Sequence, residues 1–417
     1  MFWEIPYLIL RRLRSRLEER DDAVPYEHYH RHRESNRREA LRRRRRRIFP
    51  VRVNLSEINE HEILTRYHLS SDAIMSLYEL IKDDLISTTK RSNAVPGIVK
   101  LLCALHYFAS GSLQSTVAEA GGITQSTFSR ALSEVISAIL KLTDKFINYP
   151  DDDTSLQSIK DGFFRIAGFP NVVGIVGCSH VALSPPAEIE QIYRNKMHYH
   201  SINVQVVCAS DMKILDVVAR FPGSTRNSYI LRQSGIRERF ENGEFNGGWL
   251  LGEASYGVKS WLLTPVRSPT TKPEVKYNIA HRSTHCVVER TFGVLKSRFR
   301  CLDHSGGAFL YSPEKVCKII VVCCILHNIA IMKNNHIDVA PDLRPAGESD
   351  EQADSNTTEG KMQREQLITD VFSGNFIFPS AFITLISVFL FFFVDRLIYL
   401  PLSPSPTRVE GTEHILY

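Results

Sequence analysis

The sequence predicts an α/β chain in which a helical segment precedes a mixed layer of strands and helices, and three observations predict it. Across residues 56–145 apolar side chains recur at near-helical spacing, as in Leu64, Tyr67, Ile74, Leu77, Tyr78 and Ile81. From about residue 170 the period changes. The runs "NVVGIVG", "SINVQVVCAS", "KILDVVARF" and "GGWLLGE" are short, rich in β-branched residues and bounded by turn formers, as strands are. Two long helical patterns then follow, His285–Arg300 and Pro313–Met332. Strands flanked by helices make a mixed α/β layer fold.

Within the helical segment, Val95–Ser110 reads as one helix and Leu113–Ala120 as a second, stopped by Gly121 and Gly122. Thr124 is placed to cap a third that begins at Gln125. Two short helices about a glycine turn have the spacing of a helix-turn-helix. In that reading Gln125, Ser126, Ser129 and Arg130 face outward and contact DNA; the plain alternative is a helical bundle with a tight turn.

Composition is that of a globular chain, 43% hydrophobic and 23% charged, and 417 residues suffice for two domains. The net charge of +5 is unevenly spread. Between Arg11 and Arg47 there are 15 arginines against 7 acids, a local net of +8, so the remainder carries −3. The run Arg42–Arg47, including Arg42, Arg43 and Arg44, repels itself and reads as an exposed, poorly ordered arm over 1–55. Such an arm attracts polyanions or nuclear import receptors by charge. None of the eight cysteines forms a CxxC pair, and Met1–Leu10 lacks the order of a signal peptide. A reducing compartment is expected, the nucleus first and the cytoplasm second. Residues 336–365 are acidic and polar, a linker, and 366–417 form a tail whose segment 374–394 is uncharged and long enough to cross a bilayer.

Metal-dependent phosphodiester cleavage needs carboxylates that hold divalent cations beside the attacking and leaving oxygens. At the ends of the strands such acids are few. Glu253 ends the run "LLGE", and Glu289 stands in "CVVERTFGVLKSRFR" ahead of Lys296, Arg298 and Arg300, which suit a phosphate backbone or a solvated helix face equally. His198 and His200 share strand-like spacing without a third ligand. His180 lacks a nucleophile–base–acid order, and His327 in an apolar helix reads as a core histidine.

The ordered set "FASGSLQSTVAEAGGITQSTFSR", "GIVGCSHVAL", "FPGSTRNSYIL", "WLLGEASYG", "YNIAHRSTHCVVERTFGVLKSRFRCLD", "YSPEKV" and "VCCILHNI" closely resembles the Harbinger transposase-derived nucleases with their DDE-type endonuclease domain. The resemblance covers about residues 60–335. It implies an RNase H-like mixed sheet with flanking helices over 166–335, preceded by an all-α, helix-turn-helix-like domain over 56–165. The stretch "GKMQREQLITDVF" also resembles the C-terminal helix of that family, which makes the apolar tail after about Phe372 foreign to it, better explained by a read-through intron or gene-model error than by a membrane anchor.

The resemblance also implies a metal-binding set that this chain keeps only in part. Where the family has an Asp in a G-x-x-D-x-x-H context stands Gly177, and where a second Asp follows "PGS" stands Asn227, a weak neutral ligand. Glu253 replaces a third Asp, and the Glu of "VER" is retained as Glu289. The function expected is a metal-dependent nuclease acting on DNA with Mg²⁺ or Mn²⁺, its catalysis impaired or lost. The alternative is an inactive DNA- or partner-binding remnant, working with the separate Myb-like DNA-binding protein that the resemblance implies.

Overall fold

The computed structural model describes residues 50–87, 94–150, 152–245, 247–335 and 356–374. The arginine arm before residue 50, residues 336–355 of the expected linker and the segment beyond 374 lie outside them.

Local signals start each early helix. Helices α1 (Glu60–Tyr67) and α2 (Ser71–Ile81) begin where Asn59 and Ser70 accept the backbone N–H of Glu62 and Ala73, satisfying donors that a helix start leaves open. Helix α3 (Gly97–Ser110) is buried along most of its length. Helices α4 (Gln114–Ala120) and α5 (Gln125–Leu140) form the expected pair, and Thr124 caps α5 by accepting from Thr127 N. Gly121 in their turn rests on α3 so closely that a Cβ there would lie 2.2 Å from Cys103 Sγ. Helix α6 (Asp153–Ala167), capped by Asp152, leads into the sheet.

Five strands follow: β1 (Val172–Ala182), β2 (Ser201–Cys208), β3 (Ile214–Pro222), β4 (Trp249–Leu251) and β5 (Leu262–Leu263). Their order across the sheet is β3-β2-β1-β4-β5. The first three form an antiparallel meander, while β4 runs parallel to β1 and β5 parallel to β4. Between β3 and β4 lie α7 (Asn227–Arg232) and α8 (Gly235–Glu241); after β5 come α9 (Lys272–Arg298), α10 (Pro313–Met332) and α11 (Thr358–Leu367). This mixed sheet with helices on both faces is consistent with the RNase H-like expectation.

Strand alternation sorts side chains to two cores. Ile202, Val204, Val206 and Cys208 enter a core shared with α9 and α10. Val207 turns the other way, toward Leu231, Ile236 and Phe240 of α7 and α8. The first core continues unbroken from Ile63 through α3 and α5 to β2 and α10. Residues of 56–165 and of 166–335 thus contribute to one shared core.

Two other expectations change. Helix α9 starts at Lys272 rather than at His285, because Thr271 and Glu274 form a capping box with a proline in the first turn. Its 27 residues span about 40 Å at ~1.5 Å per residue. The linker and tail boundaries at 365 and 366 give way to a helix where the stretch "GKMQREQLITDVF" resembles the family's C-terminal helix: α11, whose Arg364 donates to the carbonyls of Thr264 and Pro265 (both 3.1 Å). Just beyond it Phe372 packs, fully buried, against Phe169 and Tyr277. Helix α10 is long and apolar enough to cross a membrane, yet two thirds of that window (67%) is buried, which marks it as a core helix.

Two buried polar side chains bind these layers together. Asn328 of α10 accepts the N–H of Ile214 (2.8 Å) and donates to the carbonyls of Ile214 (2.7 Å) and Phe146 (2.8 Å). Edge strand β3 is thereby tied to both α10 and the helical segment. Arg298 at the end of α9 donates to the carbonyls of His68 (2.7 Å) and Asn335 (2.5 Å), while His68 Nδ1 meets the Arg298 carbonyl at 2.6 Å. Replacing Asn328 with Leu strands three buried backbone groups at ~1–3 kcal/mol each. Chemical denaturation should show a loss of roughly 3 kcal/mol or more, and an unchanged midpoint would disprove this role.

Candidate active site

The sheet brings the family's acidic positions to one end. Ile175 of β1 pairs with Leu251 of parallel β4, so Gly177 and Glu253 each lie two residues beyond that last paired position. Glu253 is half-buried and opens the single 3-10 turn Ala254–Tyr256, against which α7 packs. Asn227 is the first residue of α7. Its Oδ1 accepts from Asn203 Nδ2 at 3.0 Å, and the same amide also donates to the Thr225 carbonyl. The one strong acceptor of Asn227 is thus engaged by a neutral donor.

Helix α9 crosses this end of the sheet with His281, His285 and Val288 buried. The methyl carbons of Val288 would lie 2.8 and 2.9 Å from a Cβ on Gly177, closer than side-chain carbons approach. Val288 therefore occupies the space into which a carboxylate at 177 would project. Glu289 is one step round the helix and exposed. Partial desolvation raises its carboxyl pKa, and the nearby Arg282 opposes that rise.

The two histidines lie beneath the same end. Their rings stack at 5.8 Å and 12°. His281 Nε2 meets the Leu263 carbonyl at 3.3 Å, and His285 Nε2 is buried without a hydrogen-bond partner. Burial pushes His281 down to about 3, helped by the charge His285 would carry, and burial pushes His285 down to about 4. Both are neutral at physiological pH. Sequence reasoning passed over them and Val288, although 281, 285, 288 and 292 repeat at helical spacing and mark one buried stripe.

The divalent-metal expectation does not fit this donor set. Among the described residues no three His, Cys, Asp or Glu side chains converge as a metal cradle. Gly177 supplies no ligand, and a neutral amide is a poorer partner than a carboxylate for a hard cation.

The other sequence-predicted residues scatter. Gln125, Ser126 and Arg130 are exposed at the start of α5 and Ser129 is half-buried, a separate surface that packs through α3 and α10. Lys296 is half-buried and donates to the His180 carbonyl at 3.0 Å, and Arg300 is exposed. Arg298 does not face DNA: it is 1% exposed, its two terminal nitrogens bond carbonyls and its Nε is buried. Arg42, Arg43 and Arg44 lie outside the described residues. His327 is the core histidine expected, bonded to the Met212 carbonyl at 3.0 Å. A cavity of about 150 Å³ bounded by Pro150, Leu156, Arg239 and Phe245 belongs to the core on the opposite face of the sheet from Val288, so it is no part of this site.

A mixed sheet whose first strand, fourth strand and crossing helix bring acidic positions together is the frame of a transposase-type endonuclease, and comparison with known proteins agrees. Residues 176–328 match the family described as DDE superfamily endonuclease. "Putative nuclease HARBI1" of Bos taurus is 37% identical over 328 residues, covering 77% of this chain and 93% of that protein. Its Xenopus laevis counterpart is 34% identical over 321 residues, 76% and 92%. The Arabidopsis thaliana protein named Antagonist of Like Heterochromatin Protein 1 is 27% identical over 288 residues, 64% and 72%. The chain belongs to the Harbinger transposase-derived nuclease family. No solved structure matches it.

The histidine pair carries a pH prediction. Both folded-state values lie below the ordinary value of 6.5, so the unfolded chain takes up protons that the folded chain refuses as pH falls. Their contribution is complete above pH 6.5 and is lost progressively as pH falls, toward about 4 for His285 and about 3 for His281. Thermal melts should drop over that window, and His285→Phe should flatten the drop; a parallel fall in the variant would exclude His285 as its source.

Proposed function

We propose that this protein acts on DNA from a transposase-derived nuclease scaffold in which binding persists while metal-dependent cleavage is lost. The observation that carries this reading is the contact between Gly177 and Val288, because the place of one ligand is filled by hydrocarbon rather than merely left without a charge. The neutral, engaged amide of Asn227 supports it, as does the extra methylene that displaces the Glu253 carboxylate relative to an Asp. A relative named for antagonism of a heterochromatin protein supports a role in the family other than cutting.

In this reading the binding groups are Gln125, Ser126, Ser129 and Arg130 at the start of α5, with Arg300 and the arm Arg42–Arg47 adding salt-dependent affinity for phosphates. The separate Myb-like DNA-binding protein implied by the family resemblance would supply sequence recognition. Glu253 and Glu289 remain acidic and favour the rival reading, a nuclease of low activity, which has a distinct outcome in the test.

The test is Mn²⁺ titration of the full-length chain, beside Gly177→Asp/Asn227→Asp and that pair combined with Val288→Ala. The natural protein should bind no metal and leave supercoiled plasmid intact. The double variant should lose stability through the clash at Val288, by ~1–3 kcal/mol as overpacked cores do, and the triple variant should recover stability and bind Mn²⁺. Cleavage by the natural protein that Glu289→Gln abolishes would establish the nuclease instead. The arm is proposed to direct the chain to the nucleus. A fluorescent fusion of the full chain should lose nuclear enrichment when Arg42–Arg47 are all changed to Ser; equal distribution of both forms would refute that.

A further inference from the structure

The loop between β1 and β2 holds side chains that neither the core nor the acidic positions use. Arg194 and His200 pair across an isolated antiparallel bridge, so residues 194–200 form a tight hairpin. Asn195, 4% exposed, braces it from inside. Its Oδ1 accepts the N–H of Met197 (2.9 Å) and Tyr199 (3.3 Å), and its Nδ2 donates to Ser201 Oγ (3.0 Å). Asn195 N also donates to the Tyr199 carbonyl (2.9 Å), and His198 turns the chain with φ 65°. Tyr199 stacks on His304 at 4.5 Å and 11°. The hairpin is therefore held by buried and stacked polar groups, while its tip faces solvent.

That tip has a definite chemistry. Met197 is 67% exposed, and Arg194, Lys196 and His198 around it are exposed too. No Asp or Glu occurs from Gln191 to Ser210. The nearest upstream acids, Glu188 and Glu190, belong to the helical turns before the hairpin. The base is joined to the segment that carries Asn227. Ser224 donates to the Ile192 carbonyl through both N (3.2 Å) and Oγ (2.6 Å), and Gly223 N donates to the Ser201 carbonyl at 2.7 Å. A Cβ at Gly223 would lie 2.6 Å from the Tyr193 carbonyl oxygen, so the two turns are in close contact. Lys296 of α9 also reaches the His180 carbonyl on the strand that precedes the hairpin.

We propose that the hairpin Arg194–His200 is a DNA-contacting finger, in which Arg194 and Lys196 meet backbone phosphates and Met197 enters a groove as an apolar wedge. A rigid apolar tip flanked by cations suits duplex DNA. Phosphate contacts fix position, and an inserted apolar side chain pries a base step at a cost that the bent duplex offsets by touching more protein. The hairpin's bonds to the 222–227 turn would deliver the contacted backbone beside Asn227 and the end of β1. This inference rests on the DNA reading above and adds the surface that makes the contact.

The test is fluorescence anisotropy of the full-length protein on a labelled random-sequence duplex over a salt series. Arg194→Ala/Lys196→Ala should reduce the slope of log K against log salt by about 1.8, as expected for two lost phosphate contacts at ~0.9 each. Met197→Ala should weaken binding several-fold without changing that slope, and Met197→Leu should restore it. Melting temperatures of the variants, measured alongside, separate a loss of binding from a loss of folding. Binding by the natural protein that all three variants reproduce would overturn the finger and leave the DNA reading standing. Absence of duplex binding by the natural protein would overturn both.

Discussion

Asn328 is the group on which the arrangement depends. An edge strand presents open N–H and carbonyl groups, and Ile214 at the start of β3 would present both inside a core. One side-chain amide closes the pair and uses its second hydrogen on the Phe146 carbonyl. It is a fully satisfied buried polar group, which orders its surroundings at little cost; partly satisfied, it would penalise them. With β3 fixed, β2 and β1 follow in antiparallel register, and α9 can lie across them at a fixed height.

That height decides the chemistry. A helix crossing a strand settles on the side chains between them, and at residue 177 there is none. Val288 fills the gap, and packing at native density leaves little room for a ligand. Relative to the carboxylate that the family resemblance implies at 177, glycine brings no charge and leaves a different shape, which Val288 fills. Asn227 shows the milder form of the same effect, since its amide is absorbed into a neighbouring hydrogen-bond network instead of being left free for a cation.

Much of this architecture was legible in the sequence, for reasons that local physics explains. Helix α10 was bounded correctly because Ser312 caps it, a proline opens it and its apolar run has no interruption. The Thr124 cap was read from one residue type at one position. The strands announced themselves through β-branched runs. Helix α9 was truncated because its first three turns mix Lys, Tyr, Asn, His and Arg, which hide an apolar stripe, although Thr271 and Glu274 had the capping-box spacing. Arg298 was misjudged because a sequence shows charge without burial. Glu253 and Glu289 were legible as acids beside the strands, the positions of Gly177 and Asn227 only through family resemblance, and the filling of the first by Val288 is a contact across more than a hundred residues that no local pattern encodes. The hairpin's Asn195 brace was equally invisible, since an asparagine ahead of Lys-Met-His reads only as a turn.

Arg298 has a consequence for how the chain comes to be folded. It joins the carbonyl of His68, 230 residues earlier, to that of Asn335, and the core of the early helices is completed by α10. Contacts of such sequence separation form late and slowly. The early helices pack first on one another, and their shared core closes only when the last third of the chain supplies α10 and the end of α9. Cut out alone, the endonuclease segment would expose the core face that the early helices cover and leave Arg298 without the His68 carbonyl.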